Sequence, residues 1–415
     1  MSLYGCFSEL LFAAARPFLN KKYDEGNDQR YGYYQDAVPE NPIWIHAVSV
    51  GEVQSAYPFV KTVKEQVPSR SILLSTVTKT GKLMSEQLMG NTVTHIYYPW
   101  DAPSILSRAL HTLRPSLYIA VETEIWPEML LQLKKRNIPA FLLNGRLSES
   151  SFIKFNRFRS FWKNVVRRYT LILTRSEEER QRFIKLGAVP EQVRVTGDCK
   201  VDALIERRRS ADLSNLAPFF SAKRPVILAG STHSGEETIV FQAYKILKEQ
   251  FSDLQLVVVP RHPERAASVW QEAQKLGLER VILMSAAVDK SSWDVMIVDK
   301  IGVLFPAYGY VKAAFLGGSL VPKGGQNIME PAIWGIPCCQ GPDYHDFTKA
   351  TEELKAAGLC SIVHSAADIA GFFTGILKSD NTEKYQKSSE RFFLSMSGAS
   401  KRSWNLISDC LYGLK

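Results

Sequence analysis

The chain has 415 residues, of which 45% are hydrophobic and 22% charged, and it carries a formal net charge of +9. That mixture can bury the cores of two or three domains, and it excludes disorder over any long stretch. The positive balance admits an acidic partner, whether nucleic acid, an anionic membrane or a phosphorylated substrate, and decides nothing among them by itself.

In chain order, residues 3–19 are apolar but interrupted by Glu9 and Arg16 and expected to end at Pro17. The run is shorter than the roughly 20 apolar residues a bilayer span needs. It reads as an amphipathic helix lying in a membrane interface or as a cap on the first domain. From residue 43 short apolar runs follow at 43–48, 71–77, 94–97, 117–121, 140–143, 171–174 and 193–196. Helical periodicity separates them at 53–65, 81–89, 103–112 and 127–136. Runs that are apolar throughout suit parallel strands covered on both faces, and the alternation with helices predicts a doubly wound α/β sheet. Residues 206–224 are polar and break the pattern; a second series runs through 225–229, 256–259, 281–284, 295–298, 313–316, 336–339 and 361–363.

The expected architecture is therefore α/β of the GT-B type, two Rossmann-like domains facing a cleft. Residues 1–205 form the first domain, 206–224 a linker, 225–382 the second domain, and 383–415 a helical segment crossing back to the first. The six cysteines, Cys6, Cys199, Cys338, Cys339, Cys360 and Cys410, contain no CxxC pair and read as free thiols in a reducing compartment. The seven histidines show neither HExxH nor HxH spacing, so no zinc site is expected.

Polar residues collect where strands end, the edge at which ligands bind in such folds. His46, Ser49, Gly51 and Glu52 follow the first strand and open a helix. Gly51 reads as permitting a tight turn, and Glu52 as either a catalytic base or a cap on the helix dipole. Glu122, Glu124 and Trp126 follow the fourth strand, as a sugar platform or as a loop in which Pro127 starts a helix. Asn144 and Arg146 offer an amide and a cation to the same edge. In the second half, Gly230, Ser231, Thr232 and His233 precede Glu236 and Glu237, small residues that expose backbone amides to a phosphate. Arg261 and His262 lie in a proline-flanked cationic loop, and Gly317, Gly318, Ser319, Gly324, Gly325, Asn327 and Glu330 form the richest segment. Its glycines let the backbone approach an anion, and Glu330 is placed to accept ribose hydroxyls.

Taken in order, HxxSxGE at 46–52, ETExWP at 122–127, NxRLS at 144–148, GxxKxD at 197–202, AGSTHxGEE at 229–237, PRHPER at 260–265 and GGSLVxxGGxNxxEPA at 317–332 resemble the Kdo transferase family. These are inverting enzymes that move Kdo from CMP-Kdo to a lipid A precursor, and the likeness covers nearly the whole chain. The resemblance implies that Glu52 is the general base, with Ser49, Gly51, Glu124, Arg146 and Lys200 contacting sugar or acceptor. It implies that Ser231, Arg261, His262, Gly318, Ser319, Gly325, Asn327 and Glu330 bind the nucleotide. No metal and no cofactor are implied. Two positions depart from the family pattern: Val303 stands where a Glu is usual and Gln326 where a His is usual.

An anionic leaving group needs positive charge rather than an acid, and the acceptor hydroxyl needs one base. The partners implied are CMP-Kdo, the lipid A precursor and the anionic surface of the inner membrane at its cytoplasmic face; nucleic acid is not among them. Residues 152–168 read as one basic amphipathic helix, with aromatic or aliphatic side chains at 152, 155, 158, 161, 162 and 165 and cations at Lys154, Arg157, Arg159, Lys163, Arg167 and Arg168. Such a helix lies on acidic lipid or packs on a core with a solvated cationic face. Two rival readings are an epimerase of sugar nucleotides on the same fold, acting on a soluble UDP-sugar, and a basic membrane adaptor without catalysis. An adaptor would have no use for Glu52, Arg261 and Glu330 at strand ends.

Overall fold

The computed structural model describes residues 3–34, 38–220, 224–290, 292–379 and 381–413. Residues 221–223 of the expected linker and 414–415 of the final segment lie outside them. The chain divides into two compact units, residues 1–203 with 396–415 and residues 204–395.

In the first unit the apolar runs form β1 (Ile43–His46), β2 (Ile72–Thr76), β3 (Thr94–Tyr97), β4 (Leu117–Val121), β5 (Ala140–Gly145), β6 (Leu171–Thr174) and β7 (Val193–Val195). They make one parallel sheet in the order β3-β2-β1-β4-β5-β6-β7. Alternate residues serve opposite faces, as the two-residue period of a strand requires. Trp44 packs on one side with Tyr118 and Leu142, while Ile43 and Ile45 pack on the other with Ile119 and Leu143. Both faces are dry along β1, β2, β4, β5 and β6, which are buried from end to end, while the edge strands β3 and β7 are partly exposed.

The second unit repeats the plan with β8 (Val226–Thr232), β9 (Gln255–Pro260), β10 (Val281–Leu283), β11 (Val295–Ile297), β12 (Ala313–Leu316), β13 (Cys338–Gln340) and β14 (Cys360–Ile362). Its order is β10-β11-β9-β8-β12-β13-β14, again all parallel. Strand order reverses between β1 and β4 in one unit and between β8 and β12 in the other. Crossovers leave in opposite directions at such a point, and the strand ends there open a crevice for a ligand.

Three segments differ from expectation. The N-terminal helix Leu3–Lys22 runs through Pro17 instead of ending there. Pro17 deprives the Ala13 carbonyl of a donor, and Ala13 is exposed, so solvent can supply one. The stretch 152–168 is two helices, Glu149–Asn156 and Arg159–Val166, broken where Phe158 leaves helical geometry at ψ 43°. The break lets Phe155 and Trp162 stack at 4.3 Å between ring centres and pack on the core together with Phe152. Last, the polar stretch from residue 206 opens with the end of a helix, Cys199–Arg209. At the other end of the chain, helix Ala399–Tyr412 belongs to the first unit, with Trp404 and Ile407 buried among the side chains of helix Val50–Gln66. The preceding turn is held by Asp202, which accepts the Gly398 and Ser400 N–H groups at 2.7 and 2.8 Å.

Candidate active site

The switch point of the first unit gathers carboxyl groups. Glu52 lies in the first turn of helix Val50–Gln66, directly after β1. Its Oε2 accepts the backbone N–H of Val48 and, at 3.3 Å, that of Ser49. The capping role weighed from the sequence is therefore real, but it uses one oxygen. Oε1 takes no hydrogen bond among the described residues. Burial pushes the Glu52 carboxyl up to about 7, reinforced by the nearby Glu122 charge and opposed by the two N–H donors. A base tuned near neutrality is what proton abstraction from a hydroxyl calls for.

Glu122 and Glu124 reach the same edge from the end of β4. Glu122 sits at φ +61°, a strained conformation for a residue with a side chain, and Asn144 at the end of β5 is similar at +55°. Glu122 is buried, accepts Ser55 Oγ at 3.0 Å and pairs with Lys200 Nζ at 2.8 Å. Glu124 Oε2 accepts the Trp126 indole N–H at 2.8 Å, and burial first, then the Glu52 charge, push its carboxyl up to about 8. Arg146 is exposed, and its guanidinium meets no partner among the described residues.

Gly51 departs from its expected role. It lies inside the helix, and a Cβ built on it would meet nothing within 4 Å, so neither a tight turn nor packing calls for glycine there. The position faces open space next to Glu52.

At the switch point of the second unit, the penultimate residue of β8, Ser231, sits at φ +54°, and the chain leaving β12 comes so close that a Cβ on Gly317 would stand 2.5 Å from the Ser231 carbonyl oxygen. Glu236, in the sequence no more than one letter of a motif, organises this edge. Its fully buried carboxylate accepts the N–H groups of His233, Gly318, Ser319 and Leu320 at 2.7–3.0 Å. The amides of Gly318 and Ser319 are thereby committed within the fold. Ser319 is itself buried; its hydroxyl donates to Leu316 O and accepts from Gly341 N, so the structure commits that hydroxyl within the fold, contrary to the nucleotide contact expected of it. Gly325 adopts φ +82° and donates to Gly318 O at 2.8 Å. Beyond it, the N–H groups of Gln326, Asn327 and Ile328 meet no acceptor among the described residues.

The cations of this unit divide in the same way. Arg265 is locked by two bonds to the buried Glu237, at 2.7 and 3.2 Å. Arg261 is exposed and its guanidinium has no partner among the described residues, and His262 beside it is exposed with its ring 6.1 Å from that of His233. Asn327 uses Oδ1 to accept the Met329 N–H at 3.2 Å. Glu330 receives Arg207 at 2.7 Å, and that guanidinium also covers the Phe305 ring at 3.9 Å. Arg207 was not anticipated: it lies in a polar run with no motif around it. Where Val303 and Gln326 stand, no carboxylate or imidazole is presented.

Comparison with known proteins adds to this geometry. Residues 25–203 match the family model described as 3-deoxy-D-manno-octulosonic-acid transferase (kdotransferase). The chain is 31% identical over 361 residues to a 3-deoxy-D-manno-octulosonic acid transferase of Haemophilus influenzae, covering 86% of this chain and 84% of that one. It is 26% identical over 423 residues to the transferase of the same name from Chlamydia trachomatis serovar A, covering 98% and 96%. Among solved structures, a UDP-GlcNAc 2-epimerase from Neisseria meningitidis aligns with a TM-score of 0.61 at 14% identity, covering 89% of this chain and 99% of that one. A glycosyltransferase from Rickettsia africae aligns at 0.58 with 13% identity, covering 90% and 100%. At such identities the structural likeness speaks for the fold alone, which is α/β of the GT-B class.

Proposed function

Because the chain belongs to the 3-deoxy-D-manno-octulosonic acid (Kdo) transferase family, we propose that this glycosyltransferase moves Kdo from CMP-Kdo to a lipid A precursor with inversion at the anomeric carbon. The observation that carries the reading is Glu52: a half-buried carboxyl at the β1–β4 switch, fixed through Oε2, open at Oε1, and pushed up to about 7. Oε1 takes the proton of the acceptor hydroxyl as the acceptor oxygen bonds to the anomeric carbon of Kdo. The bond from that carbon to the CMP phosphate oxygen breaks on the opposite face, and CMP leaves with the electron pair. A keto-sugar carbon bearing a carboxylate passes through an oxocarbenium-like state, so the leaving phosphate needs cations and N–H donors more than an acid.

The second unit supplies such groups. Arg261 and the N–H groups of residues 326–328 have no protein partners among the described residues, and Glu330 is set by Arg207 to accept ribose hydroxyls. In the first unit Arg146 and Lys200 are exposed cations beside the carboxyl cluster, suited to the Kdo carboxylate or to acceptor phosphates. The open space at Gly51 is where the acceptor hydroxyl approaches.

We place the enzyme peripherally on the cytoplasmic face of the inner membrane. Among the described residues no helix is long and apolar enough to cross a membrane. Helix Leu3–Lys22 nevertheless leaves Phe7, Leu10, Leu11 and Phe18 exposed, and Ile153, Phe158 and Phe161 are exposed as well. Incubation with CMP-Kdo and tetra-acylated lipid A precursor, followed by mass spectrometry, tests the proposal. Lipid that gains one or more Kdo units is the expected result, with anomeric configuration read by NMR. Unmodified lipid alongside an epimerised UDP-sugar in a parallel reaction would overturn it.

A further inference from the structure

His46 ends β1 with its side chain entirely buried, its ring stacked on Tyr98 at 3.6 Å between centres. Nδ1 lies 3.2 Å from Ser75 O and 3.0 Å from Ser75 Oγ. A carbonyl oxygen only accepts, and Ser75 Oγ accepts the Trp44 indole N–H at 2.8 Å while directing its own hydrogen to Ile45 O at 3.4 Å, so the hydrogen of the neutral ring sits on Nδ1. Nε2 therefore presents a bare lone pair. Among the described residues it has no hydrogen-bond partner; Glu124 Oε2 lies 3.9 Å away, a gap that closes to hydrogen-bond length when the carboxyl turns toward the ring by about 1 Å.

That distance is not an ion pair. Burial pushes the His46 imidazole down to about 3, whereas the Glu124 carboxyl is pushed up to about 8. Between those limits both groups are neutral, the form a poorly solvated pair prefers. An ionised Glu124 would set its charge against the Nε2 lone pair; a protonated one has a hydrogen to direct at it. The other titratable groups facing Glu124 are Glu52 from helix Val50–Gln66, Glu122 with its partner Lys200, and the tyrosines 98, 118 and 169, whose hydroxyls burial keeps protonated.

We propose that His46 is a positioning residue for the transfer reaction: its unprotonated Nε2 accepts a hydrogen bond from a Glu124 carboxyl that keeps its proton, so that of these two carboxyls Glu52 alone ionises to act as base. The inference rests on the reading of Glu52 given above. Its consequence is electrostatic: a neutral Glu124 spares Glu52 a second like charge.

Two arms of the test need no turnover. In the parent at neutral pH, the ¹⁵N resonances of His46 should show Nε2 unprotonated, and infrared spectra should contain a protonated-carboxyl band that Glu124→Gln removes. A protonated Nε2, or no such band, overturns the proposal even if transfer proceeds. The third arm uses His46→Phe, which keeps a ring against Tyr98 and removes both nitrogens; Ser75 O retains the Ala47 N–H at 3.0 Å. Glu124 should then ionise at lower pH, and the acidic limb of kcat/KM should move up by about one pH unit, the scale of a like charge a few ångströms away. Adding Glu124→Gln should bring the limb back to that of Glu124→Gln alone. A limb unmoved in His46→Phe also overturns the proposal. A parent that fails to transfer Kdo would sink the functional reading, while the spectroscopic arms would still decide on His46 and Glu124.

Discussion

Lys200 Nζ lies 2.8 Å from Glu122 Oε1, so one carboxylate at the β1–β4 switch has a cationic partner while Glu52 and Glu124 have none within bonding distance among the described residues. The pair sets the charge that Glu52 experiences, since Glu122 raises its pKa and Lys200 lowers it. A carboxyl must be ionised to abstract a proton, so the rate climbs as pH rises through the Glu52 pKa, near 7. Lys200→Met removes the lowering influence and should move the acidic limb of kcat/KM to higher pH; Glu122→Gln removes the raising one and should move it lower. Limbs that coincide with the parent in both variants would detach Glu52 from the titration that governs turnover.

Glu52→Gln keeps an oxygen for the Val48 and Ser49 N–H groups, so the variant should fold with a melting temperature close to the parent. Transfer should fall by about 10²-fold or more, as for a lost general base. Gly51→Ala makes a complementary test. Alanine is favoured over glycine inside a helix by about 1 kcal/mol, and its Cβ would meet no protein atom within 4 Å. That variant should be as stable as the parent or more so, yet lose turnover because the methyl group occupies the approach to Glu52. Full activity in Gly51→Ala would place the acceptor elsewhere.

The arginines of the 260–265 loop should separate cleanly. Arg261→Ala should weaken CMP binding by about 1.5–3 kcal/mol in calorimetric titration, with stability unchanged, because its guanidinium meets no protein partner among the described residues. Arg265→Ala should do the reverse. It strands the wholly buried Glu237, and denaturation should report a loss of about 2–3 kcal/mol, below the value for a fully buried pair because the Arg265 side chain is 25% exposed. Equal effects of the two changes on CMP affinity would mean that the buried pair reaches the nucleotide as well.

Both sheets were legible because their inner strands are short runs buried on both faces, and β3, β4, β6 and β12 begin and end where the pattern does. The motifs at the strand ends were legible for the same reason, since the topology lays consecutive βα turns along one edge. The roles inside those motifs were less so. Ser319 and Gly318 look alike in sequence to residues that wrap a ligand, but Glu236, 82 residues before Gly318, claims their amides. Nothing local marks a carboxylate as buried beneath a loop that distant. His46 was read as the first letter of a motif, and its tautomer is written in Ser75, on the neighbouring strand β2. Glycine at 51 suggested a turn from its residue type alone, whereas it lies inside a helix with empty space beside it. The helix break at Phe158 was hidden because the apolar period continues across it, the two halves turning their aromatic rings onto each other.

The membrane surface gives the last prediction. A lipid acceptor presents its sugar at the bilayer surface, so an enzyme acting on it gains from resting there. Helix Leu3–Lys22 buries Ser8 and packs Phe12 against Trp100, while Phe7, Leu10, Leu11 and Phe18 project away from the core. Tyr4 meets Phe161 at 5.9 Å between ring centres, which joins this face to that of helices Glu149–Asn156 and Arg159–Val166, where Ile153 and Phe158 are also exposed. The six cations of 152–168 are not equivalent. Arg159, Arg167 and Arg168 each donate at 2.8 Å to a backbone carbonyl, of Lys185, Gly187 and Pro127. Lys163 is half-buried against Gly187, which leaves Lys154 and Arg157 exposed without such ties among the described residues. Each cation near an anionic surface contributes roughly 1 kcal/mol, so replacing both by Gln should weaken binding to phosphatidylserine-containing vesicles by about 2 kcal/mol, roughly 30-fold, at low salt. The difference should shrink as salt screens the surface charge. Phe7→Ser with Phe158→Ser should instead weaken binding at every ionic strength, because burial of apolar area is not screened. CMP affinity should stay at the parent value in both variants. If the four substitutions combined sediment with vesicles as the parent does, this face is not the one that meets the membrane.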